Sequence, residues 1–361
     1  MSRSFVPRVR WVASVVVLTA LFAGAQSTPV TLSESGSTLI YPLFRTWTEA
    51  YVKTDPSVHI TAASTGSGAG ISDAIGRRVQ IGASDAYMSD DQAMANPHVL
   101  NIPLVISAQI VVVNLPDLRG RALKLSGPVL AGIYSGKIRM WDAQPIADMN
   151  RGVSLPHRTI VPVRRADGSG DTFIFTQYLT FSTQTDGGGS RSWGDTLGYG
   201  TSVNWPQVQG GMAEPGTEGV LHTIARTPYS LGYMGTSYED DVAKDGLMVA
   251  MLQNQNGNFL LPNASTIKAA AAELTPRTPA DERLSLVFAP GANSYPLINY
   301  EYALVTDRQP NQATAQELSN FLQWCLSPQG GSAPSFLDPV HFIPLPISIR
   351  ARSEIQIAKI Q

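Results

Sequence analysis

Charge is scarce in this 361-residue chain: 15% of its positions are Asp, Glu, Lys or Arg, against roughly 25% in an average soluble domain. The 26 basic residues face 28 acidic ones, a formal net charge of −2. A nucleic-acid binder needs a basic surplus to displace condensed counterions, and a disordered chain needs high charge with few apolar residues. The sequence has neither property, so no nucleic-acid partner is expected. Cysteine is almost missing as well. Cys325 stands alone in the apolar stretch Phe321–Leu326, which excludes an internal disulfide and reads as a buried structural thiol. Metal-ligand spacing is also lacking: His59, His98, His157, His222 and His341 form no H-E-x-x-H pattern, and each reads as a surface or loop residue rather than a ligand. No metal or cofactor is expected. Glycine (31) and proline (25) are plentiful, which points to tight turns and short elements rather than a helical bundle. Hydrophobic residues make 43% of the chain, enough for one large domain or two of about 150 residues.

The start of the chain reads as an export signal. Arg3, Arg8 and Arg10 precede an apolar run from Trp11 to Gly24, and Ala23-Gly24-Ala25 fits the small-x-small pattern cut by signal peptidase. The run is short for a membrane span, and Gln26 stands where a lipid-bearing cysteine would have to be. Removal of residues 1–25 leaves 23 basic and 28 acidic residues, a net charge of −5.

From Thr31 onward short apolar runs alternate with helical spacing, the signature of an α/β chain with a largely parallel sheet. Strands are expected at Val30–Leu32, Val58–Ala62, Gln80–Ala83 and Thr159–Val163. Helices are expected over Tyr41–Tyr51, Gly66–Val79 after its loop, Val129–Tyr134, Asp171–Thr180, Gly216–Arg226 and Ala313–Leu326, ahead of a tail rich in Pro and Ile. Two longer β-type runs, Asn101–Asn114 and Leu297–Thr306, bracket a second complete α/β set. The simplest organisation is a discontinuous first lobe, 26–106 plus 297–361, interrupted by a second, 107–296, with the chain crossing twice. Gly187-Gly188-Gly189 and Asn254–Asn258 read as surface loops of the second lobe.

Three polar segments share one physical design. Glu34-Ser35-Gly36-Ser37-Thr38, Ser64–Gly70 and Arg164–Thr172 each follow a strand and open a helix. Free N–H groups and the positive dipole end at a helix start make such turns anion receptors. Hydroxyls add donors, and glycines let the main chain approach. Three such turns, spread over both lobes, suggest a ligand held between them. Rival motifs fail on position: Ile71 replaces the third glycine of a dinucleotide fingerprint, Ile138 follows Gly136-Lys137, and Asp167 occupies the site where a nucleophile elbow needs glycine. No catalytic nucleophile–base pair can be assigned.

At these turns the sequence resembles the substrate-binding proteins of bacterial phosphate ABC transporters. The resemblance runs through most of the chain and is strongest at GSTLIYPLFRTWTEAY, STGSGAGI, IGASDAYMSD, IYSGKIRMWD, VRRADGSGDTFIFTQYL and SLGYM. It implies an α/β type II periplasmic-binding-protein fold, two lobes hinged by two crossing strands near Ile106-Ser107 and Pro296-Leu297, closing on one inorganic phosphate. It further implies ligand contacts at Thr38, Leu39 (main-chain N–H), Ser67, Asp85, Arg165, Ser169, Gly170 and Asp171, with Ser37, Gly68, Asp167 and Gly168 in support. The implied partner is the membrane permease of an ABC transporter, served by a monomer outside the cytoplasmic membrane.

The residue types suit that chemistry on their own terms. Phosphate near neutral pH keeps at least one proton and sulfate keeps none, so a fixed Asp85 carboxylate accepts from P–OH and repels sulfate. Arg165 offers charge-assisted donors, with Asp167 as its counter-ion. Asp171 departs from the family's usual threonine. Two readings remain for it: a first-turn acid with its carboxylate turned away, or a second acceptor that favours monoanionic phosphate. Two other functions stay in view, a binder of another tetrahedral oxyanion and a secreted phosphoesterase using Ser169 or a carboxylate-bound metal.

Overall fold

A computed structural model describes residues 1–2, 29–118, 120–184 and 192–361. Past its first two residues, the expected export signal lies outside the described residues, as does the Gly187–Gly189 loop. The apolar runs and helical patterns form β1 (Val30–Gly36), α1 (Tyr41–Thr54), β2 (Val58–Ser64), α2 (Ser67–Ile75), β3 (Ile81–Ser84) and β4 (Val99–Val113). Then follow α3 (Gly127–Tyr134), β5 (Val161–Arg165), α4 (Gly170–Ser182), β6 (Met212–Glu214), α5 (Gly216–Arg226) and β7 (Ser230–Gly235). The chain ends with α6 (Ala264–Leu274), β8 (Ile298–Thr306), α7 (Gln312–Leu326) and α8 (Ile347–Ile357).

These strands join in one curled sheet of order β2-β1-β3-β8-β4-β7-β5-β6. β1 runs parallel to β2 and β3, and β5 runs parallel to β6 and β7. The antiparallel pairings are those of the long crossing strands: β8 with β3 and β4, and β4 with β7. β3 and β8 are buried along their whole length, and β4 from Asn101 onward. Continuous apolar runs of this kind belong to strands covered on both faces. α1 packs along β2, where Leu43, Phe44, Trp47, Thr48 and Tyr51 recur at helical spacing and are all buried.

β4 spans both halves of the sheet. Its residues Val99–Ala108 pair with β8, and Gln109–Val113 pair with β7. The second crossing lies alongside, where the Gln109 N–H donates to the Leu297 carbonyl at 2.9 Å. The result is the two-lobed type II arrangement that the sequence resemblance implies. Lobe I is built on β2-β1-β3-β8 and the first part of β4; lobe II is built on the rest of β4 with β7-β5-β6.

Three details depart from the sequence reading. α2 stops at Ile75, short of Val79, because Gly76 and a left-handed Arg77 (φ 53°) end it. The Pro- and Ile-rich tail contains a helix, α8, whose Ile349, Ser353, Gln356 and Ile357 are buried. The stretch 278–284 lies between the crossings in sequence yet bonds to lobe I elements. Tyr302 Oη donates to the Glu282 carbonyl (3.0 Å), Gln356 Nε2 to the Ala280 carbonyl (2.8 Å), and Thr278 and Tyr300 hydroxyls meet at 2.9 Å. Cys325 is buried in α7, as its apolar neighbours lead one to expect. Among the described residues no helix is long and apolar enough to cross a membrane.

Candidate functional site: an oxyanion cleft between the lobes

On the lobe I side, parallel β1 and β2 end together, and the Gly36 carbonyl accepts from the N–H groups of Thr65 (2.9 Å) and Gly66 (2.7 Å). A Cβ on Gly36 would fall on the Ala83 carbonyl, and its φ is +146°, so only glycine lets β1 and β3 converge here. This convergence brings three side chains together. Ser37 Oγ donates to Asp85 and accepts the N–H groups of Leu39 (3.0 Å) and Ile40 (3.3 Å). Ser67 Oγ accepts the Asp85 N–H at 3.1 Å, and Asn299 on β8 donates to the Asp85 carbonyl at 3.1 Å. Ser37, Ser67 and Asp85 are all buried.

On the lobe II side, β5 ends at Arg165, whose side chain is 1% exposed. Its guanidinium spans two carboxylates: Nε and Nη2 go to Asp167, with Nε at 2.8 Å from Oδ1, and Nη1 goes to Asp171 Oδ2 at 2.8 Å. The same Nη1 reaches across the cleft to Thr38 Oγ1 at 2.9 Å and lies 3.2 Å from Thr217 Oγ1. Asp167 also accepts the Gly216 N–H at 3.1 Å at the start of α5. Asp171, fully buried, accepts from Gln109 Nε2 (3.0 Å) and from the Thr217 hydroxyl (3.0 Å). Ser169 caps α4 by accepting the Thr172 N–H at 3.3 Å. Behind Arg165, Tyr233 Oη receives the Arg165 N–H (3.3 Å) and bonds Thr172 Oγ1 (2.8 Å), while its ring stacks on Phe175 at 4.3 Å. The lobe II core thus holds the arginine's backbone in place.

The lobes meet directly over this cluster. Gly68 N–H donates to the Gly168 carbonyl at 2.9 Å, and the hydroxyls of Thr38 and Thr217 lie 2.6 Å apart. Ser237 Oγ donates to the Leu39 carbonyl at 2.7 Å, and the Leu39 side chain packs against Gly235. A Cβ on Gly170 would collide with Asp85 Oδ2 and Ser67 Oγ. The start of α4 therefore sits against the lobe I carboxylate, with backbone N–H groups where a helix gathers positive potential.

The electrostatics follow from burial. Desolvation, then the facing Asp171 charge, pushes the Asp85 carboxyl up to about 6, against hydrogen bonds involving Glu301 and Ser37 and the charge of Arg165. Burial also raises Asp171, with Arg165 and the bonds from Gln109 and Thr217 pulling it back. Asp167 feels desolvation as well, but its bonds to Arg165 and that cation's charge win and hold it below the usual range.

All twelve residues expected from the sequence, Ser37, Thr38, Leu39, Ser67, Gly68, Asp85, Arg165, Asp167, Gly168, Ser169, Gly170 and Asp171, converge at this junction. The Asp171 carboxylate points inward to Arg165, not outward as a solvent-facing first-turn acid would. Sequence reading missed Thr217, Gln109 and Glu301. Thr217 had a signal, since Pro215-Gly216-Thr217 opens a helix as the other three turns do. Gln109 and Glu301 lie inside apolar β-runs, where no local pattern marks them. Among the described residues no group of three or more His, Cys, Asp or Glu is placed to hold a metal ion.

A family model described as the PBP superfamily domain matches residues 23–329. The phosphate-binding protein PstS of Pasteurella multocida is 33% identical over 326 residues, covering 90% of this chain and 89% of that protein. The PstS of Methanocaldococcus jannaschii is 32% identical over 328 residues, 86% and 81% of the two chains. The chain belongs to this family of PstS phosphate-binding proteins. Among solved structures, a phosphate-binding protein from Stenotrophomonas maltophilia aligns with TM-score 0.66 at 18% identity over 90% of this chain and 93% of that one. A high affinity periplasmic phosphate-binding protein bound with phosphate aligns with TM-score 0.66 at 20% identity over 89% and 92%. Both share the two-lobed fold.

Proposed function

We propose that this protein binds inorganic phosphate in the cleft between its lobes, outside the cytoplasmic membrane, and delivers it to the permease of an ABC-type transporter. The observation that carries the reading is the pairing of the buried Asp85 carboxyl with Arg165 and the α4 start across one cleft. Arg165, the hydroxyls of Thr38, Ser67 and Ser169, and the N–H groups of Leu39, Gly170 and Asp171 supply donors. Asp85 supplies the acceptor for the single P–OH proton. The function is capture and release rather than turnover. Residues 26–106 with 297–361 form one moving body, which the stretch 278–284 joins, and the rest of residues 107–296 form the other, hinged near Ile106-Ser107 and Pro296-Leu297. The closed form is selected because only it lets both lobes donate to one anion. The protein acts as a monomer, exported by the cleavable signal of residues 1–25.

Calorimetry with phosphate and sulfate tests this reading. Wild type is expected to bind phosphate and exclude sulfate at pH 7.5. Asp85→Asn should weaken phosphate binding and admit sulfate, because an amide donates where the carboxylate repelled. At pH 5, below the value of about 6 for Asp85, wild type should begin to accept sulfate as the carboxyl gains a proton. A wild-type protein that binds sulfate as tightly as phosphate at pH 7.5 would end this reading.

A further inference from the structure

Glu301 lies on β8, one of the two crossing strands, opposite Val105 of β4 and beside an irregularity in their register. Its side chain is wholly buried. One carboxyl oxygen, Oε1, is well served: Ser107 Oγ donates at 2.6 Å and Asn299 Nδ2 at 3.0 Å. The other is not, for among the described residues no N–H or O–H group reaches Oε2. Glu301 is also a neighbour of Asp85: Asn299 Nδ2 lies 3.0 Å from Glu301 Oε1 and 3.1 Å from the Asp85 carbonyl, and the two buried acids bear on each other. Two carboxylates cannot hydrogen-bond each other unless one carries a proton, and two adjacent buried negative charges are strongly unfavourable. The single Ser107 proton is shared between Glu301 Oε1 and Asn299 Oδ1, which lies 2.9 Å from Ser107 Oγ, and Asn299 Nδ2 holds the Asp85 carbonyl. The two crossing strands therefore grip Asp85 from behind.

We propose that Glu301 is a protonated carboxylic acid whose O–H donates to Asp85, keeping Asp85 ionised and aimed into the cleft, so that a residue on the hinge strand sets the discrimination between protonated and unprotonated oxyanions. The inference rests on the phosphate-binding reading above. Burial, then the neighbouring Asp85 charge, raises Glu301 well above the ordinary carboxyl range. The charge that bears on Glu301 is that of Asp85, which in turn faces Asp171 and Arg165. Donation from Glu301 lowers Asp85, so loss of the donor lets Asp85 keep its proton to higher pH. An Asp85 O–H would donate to a bare sulfate oxygen and remove the repulsion that excludes it.

The test compares Glu301→Gln, a neutral isostere that still donates, with Glu301→Leu, which cannot. In Glu301→Gln, phosphate affinity and sulfate exclusion at pH 7 should stay within about threefold of wild type. In Glu301→Leu, sulfate exclusion at pH 7 should fall by about fivefold, the effect of raising Asp85 by about one unit from its value of about 6. Infrared difference spectra of wild type minus Glu301→Gln at pH 7 should show the carbonyl stretch of a protonated carboxyl. Carboxylate bands in that difference, or phosphate affinity tightened about tenfold or more in Glu301→Gln, would mean that Glu301 is ionised and would overturn the proposal. Should Glu301→Leu fail to fold, the glutamine variant and the spectra decide alone. The spectra need no ligand, so a failure of phosphate binding in wild type would be seen separately from a failure of the proton assignment.

Discussion

Arg165 is the cation of the cleft, and the protein surrounds it with two carboxylates. Asp167 is partly exposed while Asp171 is fully buried, so the two counter-ions are unequal. Asp171 is raised by burial, and as pH falls it is the one that gains a proton and frees Arg165 for the ligand. Over pH 8.5 to 5, protons taken up by Asp171 are therefore expected to favour phosphate binding. Asp171→Asn should remove that contribution and tighten phosphate binding at pH 8.5, because the carboxylate that competes for Arg165 is gone. Titration calorimetry across this range decides it, and equal slopes in the two proteins would contradict the role given to Asp171. The sequence could place Asp171 in a helix-opening turn, but not the direction of its carboxylate. That direction depends on Gln109 and Thr217, which lie 62 and 46 positions away in the chain and come close only when the sheet curls.

The strand-to-helix turns were the legible elements. Their glycines, hydroxyls and positions between an apolar run and a helical pattern are local features, and local features survive in a sequence read alone. The crossing strands were visible as long apolar runs, yet the polar residues within them, Ser107, Gln109, Asn299 and Glu301, gave no sign of acting together. The α8 helix was hidden because Pro and Ile weaken a helical pattern, and its burial against the sheet overrides that propensity. At this scale the start of α4 carries a further prediction. A methyl group on Gly170 would collide with Asp85 and Ser67, so Gly170→Ala should cost phosphate affinity by about 2 kcal/mol or more, the range of overpacking at a tight contact. Because the methyl group acts on the lobe junction, thermal melting should show a much smaller change than calorimetry. Undiminished binding in this variant would argue that α4 does not close on Asp85.

At the scale of the molecule, the lobes are in contact, with Gly68 bonded to Gly168 and Thr38 set against Thr217. Small-angle scattering is expected to show a smaller radius of gyration with phosphate than without it, and no change would count against hinged closure. Stability should also depend on pH. Burial raises Glu34 and Glu282 from 4.5 to about 8. A carboxyl with a raised folded value favours the fold fully below its unfolded value, and this contribution is lost as pH rises through the folded value. The phosphate-free protein should thus melt at progressively lower temperature between about pH 5 and pH 8. Glu34→Gln and Glu282→Gln should each make that decline shallower in calorimetric scans, whereas a melting temperature that climbs over this range would contradict the assignment.

The enclosure of Arg165 also bears on timing. With both carboxylates already at the guanidinium, an approaching anion meets no bare positive charge, and a net charge of −2 offers no long-range attraction. On the proposed reading, capture is then paced by diffusion into the cleft and by lobe movement, and differences in affinity reside mainly in the rate of escape. On the same reading, release then requires the lobes to part before the anion can leave.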